Sequence, residues 1–69
     1  KGEVTITWSG YEENPTIEIY DSKGHLVETY ITNQKDGKLQ HDFSNQLSGL
    51  YLVKIFSVRT QSTIKVVMD

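Results

Sequence analysis

Gly49-Leu50-Tyr51-Leu52-Val53-Lys54-Ile55-Phe56 is the stretch that decides the fold. Gly49 interrupts the segment before it, and six of the next seven residues are apolar or aromatic, with Lys54 the only charge. β-Branched and aromatic side chains suit a pleated surface, so the run predicts a strand. It is the most hydrophobic run of the chain, which predicts a central strand buried on both faces. Tyr51, Val53 and Ile55 point one way; Leu50, Leu52, Lys54 and Phe56 point the other.

Outward from this stretch lie shorter, half-polar strands. Val4, Ile6 and Trp8 alternate with Thr5 and Thr7, a first strand with one apolar face. Ser9 to Pro15 ends it, and Pro15, unable to donate a ladder hydrogen bond, belongs at the mouth of the next strand. That strand is Thr16 to Tyr20, with Ile17 and Ile19 inward and Glu18 outward. Asp21-Ser22-Lys23-Gly24 turns the chain into a third strand, Leu26 to Thr32, which forms a hairpin with the second. Asn33 to Gly37 is a second turn cluster, and its Asp36-Gly37 pair is a strong local hairpin signal. Leu39, His41 and Phe43 alternate in a fourth strand. Ser44 to Ser48 is too short for a stable helix and reads as a loop with Leu47 tucked under the sheet. The central strand runs to about Val58, Arg59 to Ser62 turns, and Thr63 to Met68 closes the fold with Ile64, Val66 and Met68 on one face. Strands at this spacing without a helical period predict an all-β fold, a small antiparallel Ig-like β-sandwich of six to seven strands. A small barrel is the alternative.

Sixty-nine residues make a single domain, 1–69, with a thin core; a chain of this size buries only about 60% of the surface exposed when unfolded. It begins with Lys1, has no signal-peptide pattern, and reads as a piece of a longer protein. There is no cysteine to supply a disulfide or a thiolate metal site. The net charge of −2 offers no electrostatic footprint for nucleic acid or an anionic membrane. The charge is uneven: residues 1–42 hold eight acids and four bases, residues 43–69 one acid and three bases. The final hairpin is therefore mildly basic.

Catalytic chemistry finds little to work with. No serine sits in a nucleophile elbow, and no glycine-rich loop precedes a helix. Glu12 and Glu13 share one loop, whereas a glycosidase pair faces across a cleft. His25 and His41 lie far apart without matched carboxylates, so no zinc site is expected. His41 continues an apolar alternation and reads as a buried strand residue; His25 comes just after a turn glycine and reads as solvated. The chain is not expected to be an enzyme or to hold a cofactor. The rival binding function is a carbohydrate platform on Tyr11, Tyr20 and Tyr30, the aromatics expected to be exposed.

Three segments in order carry a resemblance. Ile17-Glu18-Ile19-Tyr20-Asp21-Ser22-Lys23-Gly24-His25-Leu26-Val27 is similar to a strand, a D-x-x-G-x-x-V turn and a second strand. Leu47-Ser48-Gly49-Leu50-Tyr51-Leu52-Val53-Lys54-Ile55 is similar to L-x-x-G-x-Y-x-V-x-I, and Thr63-Ile64-Lys65-Val66-Val67 to a terminal x-x-K-V-V. Together they resemble the C-terminal sorting domain of the type IX (Por) secretion system of Bacteroidetes. Lys1-Gly2-Glu3-Val4-Thr5-Ile6 looks like the segment just after that family's Y-P-N-P opening, and the opening itself is absent here. The position after Gly24, often arginine in the family, is His25. The resemblance implies an export address behind an N-terminal cargo domain. Type IX translocation and sortase machinery would read it on the way through the periplasm to the outer-membrane surface or the medium, and it would then be removed or exchanged for a surface anchor. It makes Asp21, Gly24, Gly49, Tyr51, Lys65, Val66 and Val67 the candidates for sorting recognition, on a domain expected to be monomeric. The alternative is a structural or carbohydrate-binding Ig-like accessory module of a surface enzyme.

Overall fold

The computed structural model describes residues 2–69; Lys1, the first residue of the opening stretch, lies outside them. The described residues form six strands and no helix: β1 (Glu3–Trp8), β2 (Thr16–Asp21), β3 (Leu26–Ile31), β4 (Gly37–Asp42), β5 (Gly49–Phe56) and β6 (Gln61–Met68). They make two antiparallel sheets, a four-stranded one in the order β3-β2-β5-β6 and a two-stranded ribbon of β1 and β4. The sheets face each other as a small sandwich. β5 is an interior strand, paired with β2 from Asp21↔Tyr51 to Thr16↔Phe56 and with β6 along all eight of its residues.

The core lies between the layers. Ile17, Ile19 and Val53 are fully enclosed, and Tyr51 and Ile55 nearly so. The ribbon covers them with Ile6, Trp8 and Phe43, backed by Val4 and Leu39. The Phe43 and Tyr51 rings meet across the sheets with centroids 5.0 Å apart. His41 is buried among them, edge-on to Phe43 at 4.5 Å, and its Nδ1 lies 2.7 Å from the Tyr30 hydroxyl on β3. Among the described residues His41 Nε2 finds no hydrogen-bond partner, a cost the aromatic packing must offset.

Four sequence expectations are corrected. β5 is buried on one face only: Leu52, Lys54 and Phe56 are half-buried and Leu50 is exposed, because among the described residues no second layer packs on the outer side of the four-stranded sheet. Leu47 points into solvent at 85% exposure instead of under the sheet. Tyr11 is buried; its hydroxyl reaches the Ile55 carbonyl (3.2 Å) and Ser62 Oγ (3.3 Å), so this loop residue closes the end of the sandwich. The Asp36-Gly37 pair makes no hairpin. β3 pairs with β2 and β4 with β1, so the segment crosses from one sheet to the other. Thr32 Oγ1 donates to the Pro15 carbonyl (2.6 Å) where the crossing begins. Gly37 is small for a packing reason: a Cβ there would stand 2.8 Å from Trp8 Cζ2.

The two faces of β5 should separate on mutation. Ile19→Ala, at a fully enclosed position paired with Val53, should cost about 2–5 kcal/mol. That is a large share of the total for a small domain. Leu52→Ala, on the half-buried outer face, should cost clearly less, as read from urea unfolding midpoints. Equal losses would contradict the one-sided burial.

Candidate functional site

The three segments singled out in the sequence meet at one end of the four-stranded sheet. Antiparallel pairing puts the end of β2, the start of β5 and the end of β6 side by side. Asp21, Tyr51 and Val66 form one rung across the three strands, and Tyr20, Leu52 and Lys65 form the next. Directly opposed residues share a face. Tyr51 and Val66 therefore face the core, while Lys65 stands on the outer face. Val67 pairs with Leu50 on that outer face, and Gly49 pairs with Met68. Gly24 sits beyond the rungs, in the β2–β3 turn.

Asp21 builds that turn. Its Oδ1 accepts the backbone N–H groups of Lys23 and His25, each at 2.9 Å, while its own N–H donates to the His25 carbonyl at 2.9 Å. Gly24 N–H donates to the Asp21 carbonyl (3.1 Å), with Gly24 at φ 87°, where a side chain would be strained. The hydrogen bond from His25 N–H, helped by that from Lys23 and by the nearby imidazole, holds the Asp21 carboxyl below the usual carboxylate range. His25 Nδ1 lies 3.3 Å from Oδ2, but its side chain is 75% exposed, so the ion pair adds little.

Tyr51 anchors the facing loop. Its ring is buried and its hydroxyl donates to the Leu47 carbonyl four residues earlier, drawing the β4–β5 loop against the sheet end. Asp42 sets the start of that loop: its Oδ1 accepts the Ser44 N–H (2.8 Å), and hydrogen bonds from the Ser44 hydroxyl and backbone lower its carboxyl pKa. Gly49 then enters β5 at φ 140° with open space around it.

Between this loop and the β2–β3 turn lies a cleft of about 350 Å³, bordered by Asp21, Lys23, His25, Leu47, Leu50 and Tyr51. Sequence reasoning missed the apolar rim at this end. Leu47 (85%), Val67 (71%) and Leu26 (54%) are exposed. The signal for Leu47 was a lone leucine in a polar loop, where it is as free to point out as in. Lys65, on the outer face, makes no ion pair among the described residues.

No group of three or more His, Cys, Asp or Glu among the described residues could hold a metal. The carbohydrate platform is not assembled either. Tyr11 is buried, Tyr30 turns toward His41, and Tyr20 donates its hydroxyl to Glu18 Oε1 at 2.6 Å.

The family model for the secretion system C-terminal sorting domain matches residues 1–69, the whole chain. The chain belongs to that family. It is a sorting domain of the type IX system, a family of signals and not of catalysts. Comparison with curated proteins and with solved structures finds no match.

The lowered pKa of the turn carboxylate predicts a pH-dependent contribution to stability. A carboxyl whose folded pKa is lowered contributes stability above its unfolded value, about 3.9, and that contribution is lost as pH falls through the folded value. Asp21→Asn should therefore be less stable than the parent near pH 7, and the gap should narrow toward about pH 2 in urea unfolding. An undiminished gap would show that the charge of Asp21 contributes nothing.

Proposed function

We propose that this domain is the address by which the type IX machinery carries an N-terminal cargo out of the periplasm to the cell surface or the medium. The domain spans residues 1–69 and acts as a folded monomer behind its cargo. After translocation the sortase removes it or exchanges it for an anchor. The machinery reads the sheet end where β2, β5 and β6 meet. Asp21 and Gly24 hold the turn, Gly49 and Tyr51 hold the facing loop, and Lys65 and Val67 are the side chains read directly, with Val66 between them packed toward the core.

The convergence of three distant segments on adjacent rungs carries this reading. Position in the fold divides the residues into two roles. Asp21, Gly24, Gly49, Tyr51 and Val66 act through shape, since they set the turn, the loop and the core packing. Lys65 and Val67 present their side chains to solvent and are free to touch a partner.

A soluble reporter fused ahead of the chain should leave a Bacteroidetes host only when the type IX machinery is intact. Lys65→Gln keeps a long polar side chain and should change stability by no more than about 0.5 kcal/mol. Its secreted fraction should nonetheless fall several-fold, measured by immunoblot of medium against cells. Equal export of the parent fusion by a machinery-deficient strain would remove the sorting function; undiminished export of Lys65→Gln would remove Lys65 from recognition.

A further inference from the structure

β6 is an edge strand without the usual protection. It pairs with β5 through eight consecutive residues without a register shift, and among the described residues nothing pairs with its other side. Exposed edges are normally blunted by proline, bulges, short length or several charges. β6 has no proline, and Lys65 is its only charge. The opposite edge of the same sheet is different: β3 has six residues, its pairing with β2 is interrupted by a bulge, and it carries Glu28.

The faces beside this edge are also uncovered. On the inner side the β1–β4 ribbon stops short of β6, leaving Ile64 42% exposed along a groove of about 420 Å³ bordered by Thr7, Trp8, Tyr11 and Ser62. On the outer side Val67 is 71% exposed and Lys65 lacks an ion pair among the described residues. An incoming strand would thus meet free backbone groups, apolar side chains on both faces and one unneutralised cation.

From this edge we infer that the partner binds by strand addition: an extended segment of the translocation machinery pairs with β6, antiparallel or parallel, and extends the four-stranded sheet. The inference rests on the sorting function proposed above and gives its mode of contact. Backbone hydrogen bonds provide the affinity, and alternate side chains provide the selection. The segment places apolar residues beside Ile64 and Val67 and a carboxylate opposite Lys65. Charge favours such a partner over a second copy of this chain: Lys65 is the only charge of β6, so two β6 edges would bring two lysines together with no carboxylate on either strand to meet them.

Proline at two neighbouring positions tests the mode. Successive residues of an antiparallel strand direct their N–H groups to opposite sides. Of Thr63→Pro and Ile64→Pro, one therefore removes a bond to β5 and unfolds or weakens the domain, while the other blocks only the free edge and is tolerated. The folded variant is titrated, beside the parent and a Thr29→Ala control on the opposite edge of the sheet, with outer-membrane vesicles from a host with intact type IX machinery and from a strain lacking it. Parent binding that requires the machinery, reduced at least tenfold by the edge proline but not by Thr29→Ala, is the expected result. Edge-proline binding equal to the parent overturns strand addition and leaves sorting intact; parent binding independent of the machinery points to failure of the sorting function itself. Should both prolines unfold the domain, Lys65→Arg and Lys65→Glu decide: the first should bind as the parent does and the second at least tenfold less, and equal binding by both overturns the inference. A parent dimer in sedimentation at micromolar concentration, absent in the edge-proline variant, would assign the edge to a second copy instead.

Discussion

The pairing of β5 on both sides is the constraint on which the rest of this domain depends. In so small a chain the core cannot be deep, and here it is essentially one layer of side chains. Tyr51, Val53 and Ile55 face Ile17 and Ile19 laterally and the β1–β4 ribbon above. Because β5 is hydrogen-bonded along its length to β2 and β6, its inward residues are fixed in register with theirs. A slip of one residue would turn Val53 and Ile55 outward and Lys54 into the core. The apolar pattern thus fixes the alignment of three strands at once. That alignment in turn fixes which residues meet at the sheet end.

Much of this was legible in the chain. Alternation and turn signals located the half-polar strands, because each has one face turned to the thin core, and a continuous apolar run located β5. The Asp21 to Gly24 turn was legible because a turn carboxylate and a positive-φ glycine have few other uses. Burial beyond the strands was not. Tyr11 is enclosed by its bond to Ile55, 44 residues away, and no local composition predicts such a partner. Asp36-Gly37 is a sound hairpin signal in a free chain, but Gly37 is spent on room for Trp8 while the chain crosses between sheets. The reading of β5 as doubly buried failed because hydrophobicity reports a tendency to be covered, and the outer sheet face has no layer to cover it.

The proposed recognition site was legible as parts and illegible as a whole. Asp21, Gly24, Gly49, Tyr51, Lys65, Val66 and Val67 emerged from three segments whose spacing gave no sign of proximity. The register of β2, β5 and β6 brings six of them onto adjacent rungs and leaves Gly24 at the turn beyond. It also divides them by role. Tyr51 draws the loop down through the Leu47 carbonyl, so Leu47 matters through its backbone at that contact while its side chain stands in solvent.

Nuclear Overhauser contacts at the sheet end test the central claim most directly. In the labelled domain, the backbone protons of Tyr51 should show cross-strand contacts to Asp21 on one side and to Val66 on the other, with Leu52 contacting Tyr20 and Lys65 in the same way. Contacts placing Val66 beside β1, or shifting its partner on β5 by one residue, would contradict the account, because the three segments would then no longer meet where the domain is proposed to be read.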